Sequence, residues 1–125
     1  MGKIENFEDL DVWQLSMELA QAVYSATHSE KFSKDFGLRD QIRRCSVSVP
    51  SNISEGFERN STNQFVYFPL IAKGSCGECR TQLILAFRLG YIEQQLLEAL
   101  NQQCLTVSKQ LGGFISYLKG RKPNK

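Results

Sequence analysis

A chain of 125 residues with 42% hydrophobic side chains is long enough to close one core without disulfide or metal staples. With 22% charged residues it reads as an ordinary soluble protein, and no apolar run nears the roughly 20 residues that cross a bilayer. A net charge of +2 does not mark a nucleic-acid binder unless the basic residues cluster.

The N-terminus lacks the basic-then-apolar pattern of a secretory leader, so a cytoplasmic protein is expected, with its four cysteines as reduced thiols. Residues 1–6 are expected to fray. A first helix is predicted from about Asp11 to Thr27, with acidic residues at its start where they favour an N-terminus. Val12, Leu15, Leu19, Ala22 and Ala26 form one apolar stripe on it, and Trp13, Met17, Ala20 and Tyr24 form a second beside it. His28 to Gly37 has no clear period and reads as a loop pinned by Phe32 and Phe36.

The second helix, roughly Leu38 to Arg59, contains the sequence's most distinctive stretch, Gln41-Ile-Arg-Arg-Cys-Ser-Val-Ser-Val-Pro-Ser-Asn-Ile-Ser-Glu-Gly-Phe57. At helical spacing Leu38, Ile42, Cys45, Val49, Ile53 and Phe57 share a core face. Arg39, Arg43, Val47 and Pro50 lie on its flank, and Asp40, Arg44, Ser48, Ser51 and Glu55 on the back. Pro50 removes an amide donor and crowds the Ser46 carbonyl, which predicts a kink and a role for nearby serines in bonding the freed groups.

Asn60 to Gln64 reads as a capping segment, with Ser61 and Gln64 at capping-box spacing. A third helix is then predicted as far as Leu89, with Phe65, Phe68, Ala72, Cys76, Cys79, Leu83 and Ala86 on one face. Tyr67, Ile71, Leu85 and Leu89 make another apolar stripe, with Glu78 among them, while Pro69, Gly74 and Gly77 weigh against a straight helix. Gly90 is the expected stop. The last helix, about Ile92 to Leu118, carries a seam of Leu97, Leu100, Cys104, Val107, Leu111, Phe114 and Leu118. A short basic tail from Gly120 ends the chain.

Four amphipathic helices with short connections predict an all-α, antiparallel up-down four-helix bundle spanning 1–125 as one domain. The second apolar stripes of helices one and three would stay wet in a lone bundle, which predicts self-association.

The stretch Ile42 to Gly56 resembles the signature of the bacterial four-helix-bundle family described as rRNA intervening-sequence proteins, sometimes labelled a ribosomal protein. Phe7 to Trp13, Gly74 to Leu83 and Leu89 to Ile92 fit the same pattern in the same order, so the resemblance covers about Phe7 to Leu118; Pro69 and Gly77 depart from it. The resemblance implies a ring-like homopentamer. It also implies one of two contexts: genes lying within intervening sequences of large-subunit rRNA, or the accessory protein of diversity-generating retroelements, a basic pentameric partner of a reverse transcriptase and its RNA.

Candidate chemistry is sparse. Cys76-Gly-Glu-Cys79 has redox or zinc spacing, but on a helix both thiols face the core stripe and the one histidine, His28, is distant, so a core role is preferred and no metal or cofactor is expected. Glu78 is expected to form a structural ion pair with Arg43 or Arg44, across the bundle or a subunit contact. No acid, base and nucleophile combine into a reaction centre, so no enzyme is expected.

The remaining signal is basic: Arg39, Arg43, Arg44, Arg59, Lys73 and Arg80, with Lys119, Arg121, Lys122 and Lys125 near the end. A plain solvated surface, with local pairs such as Asp40 to Arg44, is the competing reading. Oligomerisation multiplies each patch and favours a polyanion, so the leading expectation is a non-enzymatic homo-oligomer binding RNA or other nucleic acid non-specifically. The alternative is a protein-interaction scaffold without nucleic acid.

Overall fold

The computed structural model describes residues 4–59 and 62–120, with side chains left undescribed at 62–65. A 3-10 turn, Phe7–Asp9, precedes five helices: α1 (Asp11–Ala26), α2 (Glu30–Lys34), α3 (Phe36–Arg59), α4 (Thr62–Arg88) and α5 (Gln94–Gly120). Among the described residues there is no strand. The long helices close a circuit: α3 packs most extensively on α4, α4 on α5, and α1 on both α3 and α5. Opposing pairs give the local sense of the α4–α5 packing. Lys73 lies against Gly112 and Arg80 bonds Asn101, so residue numbers fall on α5 as they rise on α4.

The core is built from the expected seams, with small rotations. Leu100, Cys104, Val107, Leu111 and Leu118 of α5 are buried as expected, but Ile115 takes the place of Phe114, which is half-buried. In α1 the face also turns: Ser16 and Val23 are buried while Leu15 and Ala22 are half-buried. Ser16 tolerates burial because its hydroxyl donates to the Trp13 carbonyl at 2.7 Å. On α4, Ala72, Cys76, Cys79, Leu83 and Ala86 are all fully buried.

The expected loop from His28 to Gly37 is more ordered than its composition suggests. It contains α2, which buries Phe32 completely, but Phe36 is 64% exposed and pins nothing. The reason is Asp35. Its carboxylate accepts the Leu38 amide at 3.1 Å, satisfying a first-turn donor and starting α3 at Phe36. The other carboxylate oxygen accepts the Tyr91 hydroxyl at 2.9 Å, which ties the start of α3 to the α4–α5 turn and raises the Tyr91 pKa.

α3 runs as one helix through Pro50, which is buried, and α4 runs as one through Pro69, Gly74 and Gly77. Serine hydroxyls of α3 bond back to carbonyls three residues earlier: Ser46 to Arg43 at 2.9 Å and Ser54 to Ser51 at 3.0 Å. Among the described residues none of them reaches the Ser46 carbonyl that Pro50 leaves without its amide, contrary to expectation. α4 ends as expected at Gly90, whose φ of +79° lies in the left-handed region that glycine enters freely. Its amide bonds the Phe87 carbonyl and that of Tyr91 the Ala86 carbonyl, both at 2.9 Å, which closes the helix end. The expected capping box of Ser61 and Gln64, the first three residues and the basic tail beyond Gly120 lie outside the described residues.

Candidate nucleic-acid interface

The basic residues divide among the grooves between neighbouring helices. Arg39 and Arg43 face α1 and the α2 turn, and both are tied down. Arg39 bonds Asp40 at 2.9 Å and the Ser33 carbonyl at 3.1 Å, with its guanidinium 4.8 Å from the Phe36 ring centroid. Asp40 therefore pairs with its neighbour Arg39 instead of Arg44, and that bond holds its carboxyl below the usual range. Arg43 donates from Nε to the buried Thr27 hydroxyl at 2.7 Å and stacks over Tyr24 at 4.7 Å. Arg43 closes the α1–α3 junction and Arg39 the α2–α3 turn, which leaves less of their charge for a partner.

Arg44 borders the groove between α3 and α4. Ser48 and Ser75 share a hydroxyl hydrogen bond of 3.0 Å across that groove, and Asn52 donates to the Ser48 carbonyl and hydroxyl at 2.8 and 2.9 Å. One turn along, Arg44 and Glu78 border a cleft of about 250 Å³ with Gln41, Ser48, Ser75 and Gln82. Glu78 is exposed, not enclosed by apolar residues as the sequence suggested. Among the described residues no ion pair joins it to Arg43 or Arg44; the three ion pairs present are local ones, Lys34 with Glu30, Arg39 with Asp40 and Arg59 with Glu55. The stripe that includes Tyr67, Leu85 and Leu89 is itself exposed, so Glu78 meets water instead of core.

Lys73 and Arg80 share the α4–α5 groove. Seven residues apart on a helix, they stand about 10 Å from each other along its axis. Arg80 donates from Nε to Asn101 at 2.8 Å and is held half-buried, while Lys73 lays its stem beside Gly112 and stays exposed. Arg59, at the C-terminal end of α3, bonds Glu55 at 3.1 Å and stacks over Phe68 at 5.1 Å. In a single chain these cations sit on separate faces. Sequence spacing missed the polar partners Asn101, Thr27, Ser75 and Gln82; the signal available was the three- and four-residue recurrence of Ser75, Glu78 and Gln82.

The four cysteines are free and buried, contributed by α3, α4 and α5. Burial pushes the Cys76 thiol up to about 11 and the Cys104 thiol up to about 12. Cys45 donates to the Ser75 carbonyl at 3.1 Å and accepts a hydrogen bond from the Cys79 thiol, which lowers the Cys45 pKa and raises that of Cys79. Among the described residues no cluster of three or more His, Cys, Asp or Glu could hold a metal ion. Cys76 and Cys79 are packing groups of the α4 face.

Apolar surface also remains uncovered. Trp13, Met17, Ala20, Tyr24, Val47 and Pro50 line a cleft of about 680 Å³ between α1 and α3. Ile84, Leu85, Phe87 and Leu89 near the end of α4 and Leu96 at the start of α5 are also exposed. No helix among the described residues is long and apolar enough to cross a membrane.

Residues 8–113 match the profile of the 23S rRNA-intervening sequence protein family. The chain belongs to that family. The 23S rRNA-intervening sequence protein match covers all of α1, α2, α3 and α4 and most of α5. The fold is similar to a crystal structure of a protein of unknown function from the S23 ribosomal protein family of Bacteroides thetaiotaomicron, at 28% identity and a TM-score of 0.77. That match covers 83% of this chain and 97% of the other. No curated protein matches significantly. Neither description names a catalytic activity. In this member of the family the distinctive stretch Ile42 to Gly56 forms the middle of α3, placing Ser48 against α4 and Pro50 against α1.

Proposed function

We propose that this member of the family is a non-enzymatic cytoplasmic protein that self-associates and binds RNA or other nucleic acid mainly through its phosphate backbone. The architecture behind this reading is an antiparallel up-down bundle, bent at Pro50, of which five copies close a ring. The observation that carries it is the exposed cation Lys73, which among the described residues has no ion-pair partner and shares its groove with Arg80. Arg44 lines a second groove, between α3 and α4. Copying these grooves around an axis sums charges that one chain separates, and a flexible polyanion can engage several at once. The family's link to rRNA intervening sequences is consistent with an RNA partner.

Filter binding to RNA at graded salt tests the reading. Affinity should fall with salt at a log–log slope of about −0.7 for each single-strand phosphate neutralised. Undetectable binding to any RNA or DNA at low salt would remove it. The exposed apolar side chains of Leu85 and Leu89 favour a second reading, a protein-interaction scaffold. One protein partner retained after nuclease treatment, with no RNA affinity, would establish that reading instead.

A further inference from the structure

We propose that the polar cleft between α3 and α4 reads a single unpaired guanine base. The inference rests on the nucleic-acid reading and deepens it by giving that interface a base-contacting site beside its phosphate contacts.

The cleft is formed by two matched polar faces. Gln41, Arg44 and Ser48 on α3 and Ser75, Glu78 and Gln82 on α4 each recur at three- and four-residue steps, so each set lines one side of its helix. At one end Ser48 and Ser75 satisfy each other at 3.0 Å. At the other, three groups have no such partner among the described residues. Arg44 and Glu78 border the same cleft without pairing, and the Gln82 side-chain carbonyl is buried, in a residue only 9% exposed, with no hydrogen-bond donor. Buried carbonyls are nearly always satisfied, so an unsatisfied one on a polar cleft wall indicates a donor from elsewhere.

These groups define the chemistry of the occupant. Arg44 and Glu78 cancel in charge, which suits a neutral group better than a bare phosphate. Glu78 and Gln82 accept only N–H or O–H donors at their oxygens, and Arg44 offers donors alone. The matching ligand therefore carries adjacent donors beside adjacent acceptors. Guanine is the nucleobase that does so, with its ring N1–H next to the 2-amino group and O6 next to N7. The N1–H and one amino hydrogen go to the Glu78 carboxylate, the second amino hydrogen to Gln82, and O6 and N7 receive the Arg44 guanidinium. Adenine has one amino donor, cytosine one amino group beside acceptors, and uracil a lone N–H between two carbonyls. The cleft, of about 250 Å³, has room for one base, and because Glu78 takes the Watson–Crick edge the guanine must be unpaired.

The test compares labelled oligouridines of roughly ten nucleotides that carry one central guanosine, inosine or adenosine, at fixed salt. Wild-type protein should bind the guanosine oligomer about tenfold more tightly than the adenosine one, with inosine, which lacks the 2-amino group, in between. Glu78 is exposed, so Glu78→Gln leaves the fold intact; it should bring guanosine and adenosine to within about twofold, while plain oligouridine, which meets one negative charge fewer, binds at least as tightly as before. Equal binding of all oligomers by the wild type, or a guanosine preference that survives Glu78→Gln, would overturn the cleft assignment and leave backbone binding standing. Failure of every oligomer to bind at low salt would remove the nucleic-acid reading and this inference with it.

Discussion

Raising the pH should destabilise this protein through its buried thiols well before its arginines lose charge. Cys76 and Cys104 have folded-state values of about 11 and about 12, against an ordinary 9.0. A raised acid is held neutral by the fold, so its contribution is fully present below pH 9 and fades as pH climbs toward the folded value. At pH 10 the unfolded thiols are about nine-tenths ionised and the folded ones almost wholly protonated, so each costs the fold about 1.4 kcal/mol. Two thiols together remove about 3 kcal/mol between pH 8 and pH 10, a large share of a typical stability of about 5 to 15 kcal/mol. Cys45 and Cys79 are left out because their shifts oppose each other. Urea unfolding in reductant at pH 8, 9 and 10 measures the loss, and Cys104→Ala should halve it while lowering stability at every pH. A stability unchanged from pH 8 to pH 10 would show that these thiols are not core groups, and would reopen metal or redox roles for Cys76 and Cys79.

Other outcomes follow from the same packing. Gly90→Ala places a Cβ at a positive φ and should lower stability by about 1 kcal/mol in urea titrations, without altering assembly. Met17→Glu puts a carboxylate in the apolar cleft between α1 and α3; Met17 is 36% exposed, so the free chain should tolerate it, while burial in an interface costs several kcal/mol and should weaken assembly by about a hundredfold or more in light scattering. Lys73→Ala should reduce the salt slope of RNA binding by about 0.7 for every phosphate that its side chain no longer neutralises, whereas Arg44→Ala, whose charge Glu78 offsets, should change that slope little and lower the guanosine preference. Arg39→Ala removes a guanidinium already bonded to Asp40 and the Ser33 carbonyl, and should change that slope little.

The fold was legible wherever one side chain type repeats at helical spacing. Leu100, Cys104, Val107 and Leu111 mark a face that only a packed helix can use, and Gly90 marks the place where glycine geometry ends α4. Periodicity fixes an angle around a helix axis but not what stands opposite. The second stripe of α4, read as too apolar to stay wet, is exposed in the folded chain, and Glu78 with it; what the pattern could not give was the partner expected for that carboxylate. The cap that Asp35 gives the Leu38 amide is a local signal, but its second bond, from Tyr91, joins residues too distant in sequence to be read from spacing. The basic residues were all recognisable, yet which are free and which are tied depends on Thr27, Asn101 and the Asp40 neighbour, pairings that only folding creates.

Self-association is central, because the uncovered apolar clefts and the separated cations both acquire a role through it. Sedimentation velocity of the purified protein at micromolar concentration measures it directly. One species several times heavier than the 14.2 kDa chain is predicted, with a homopentamer as the expected size. A stable, well-folded species of 14.2 kDa across the concentration range would contradict it.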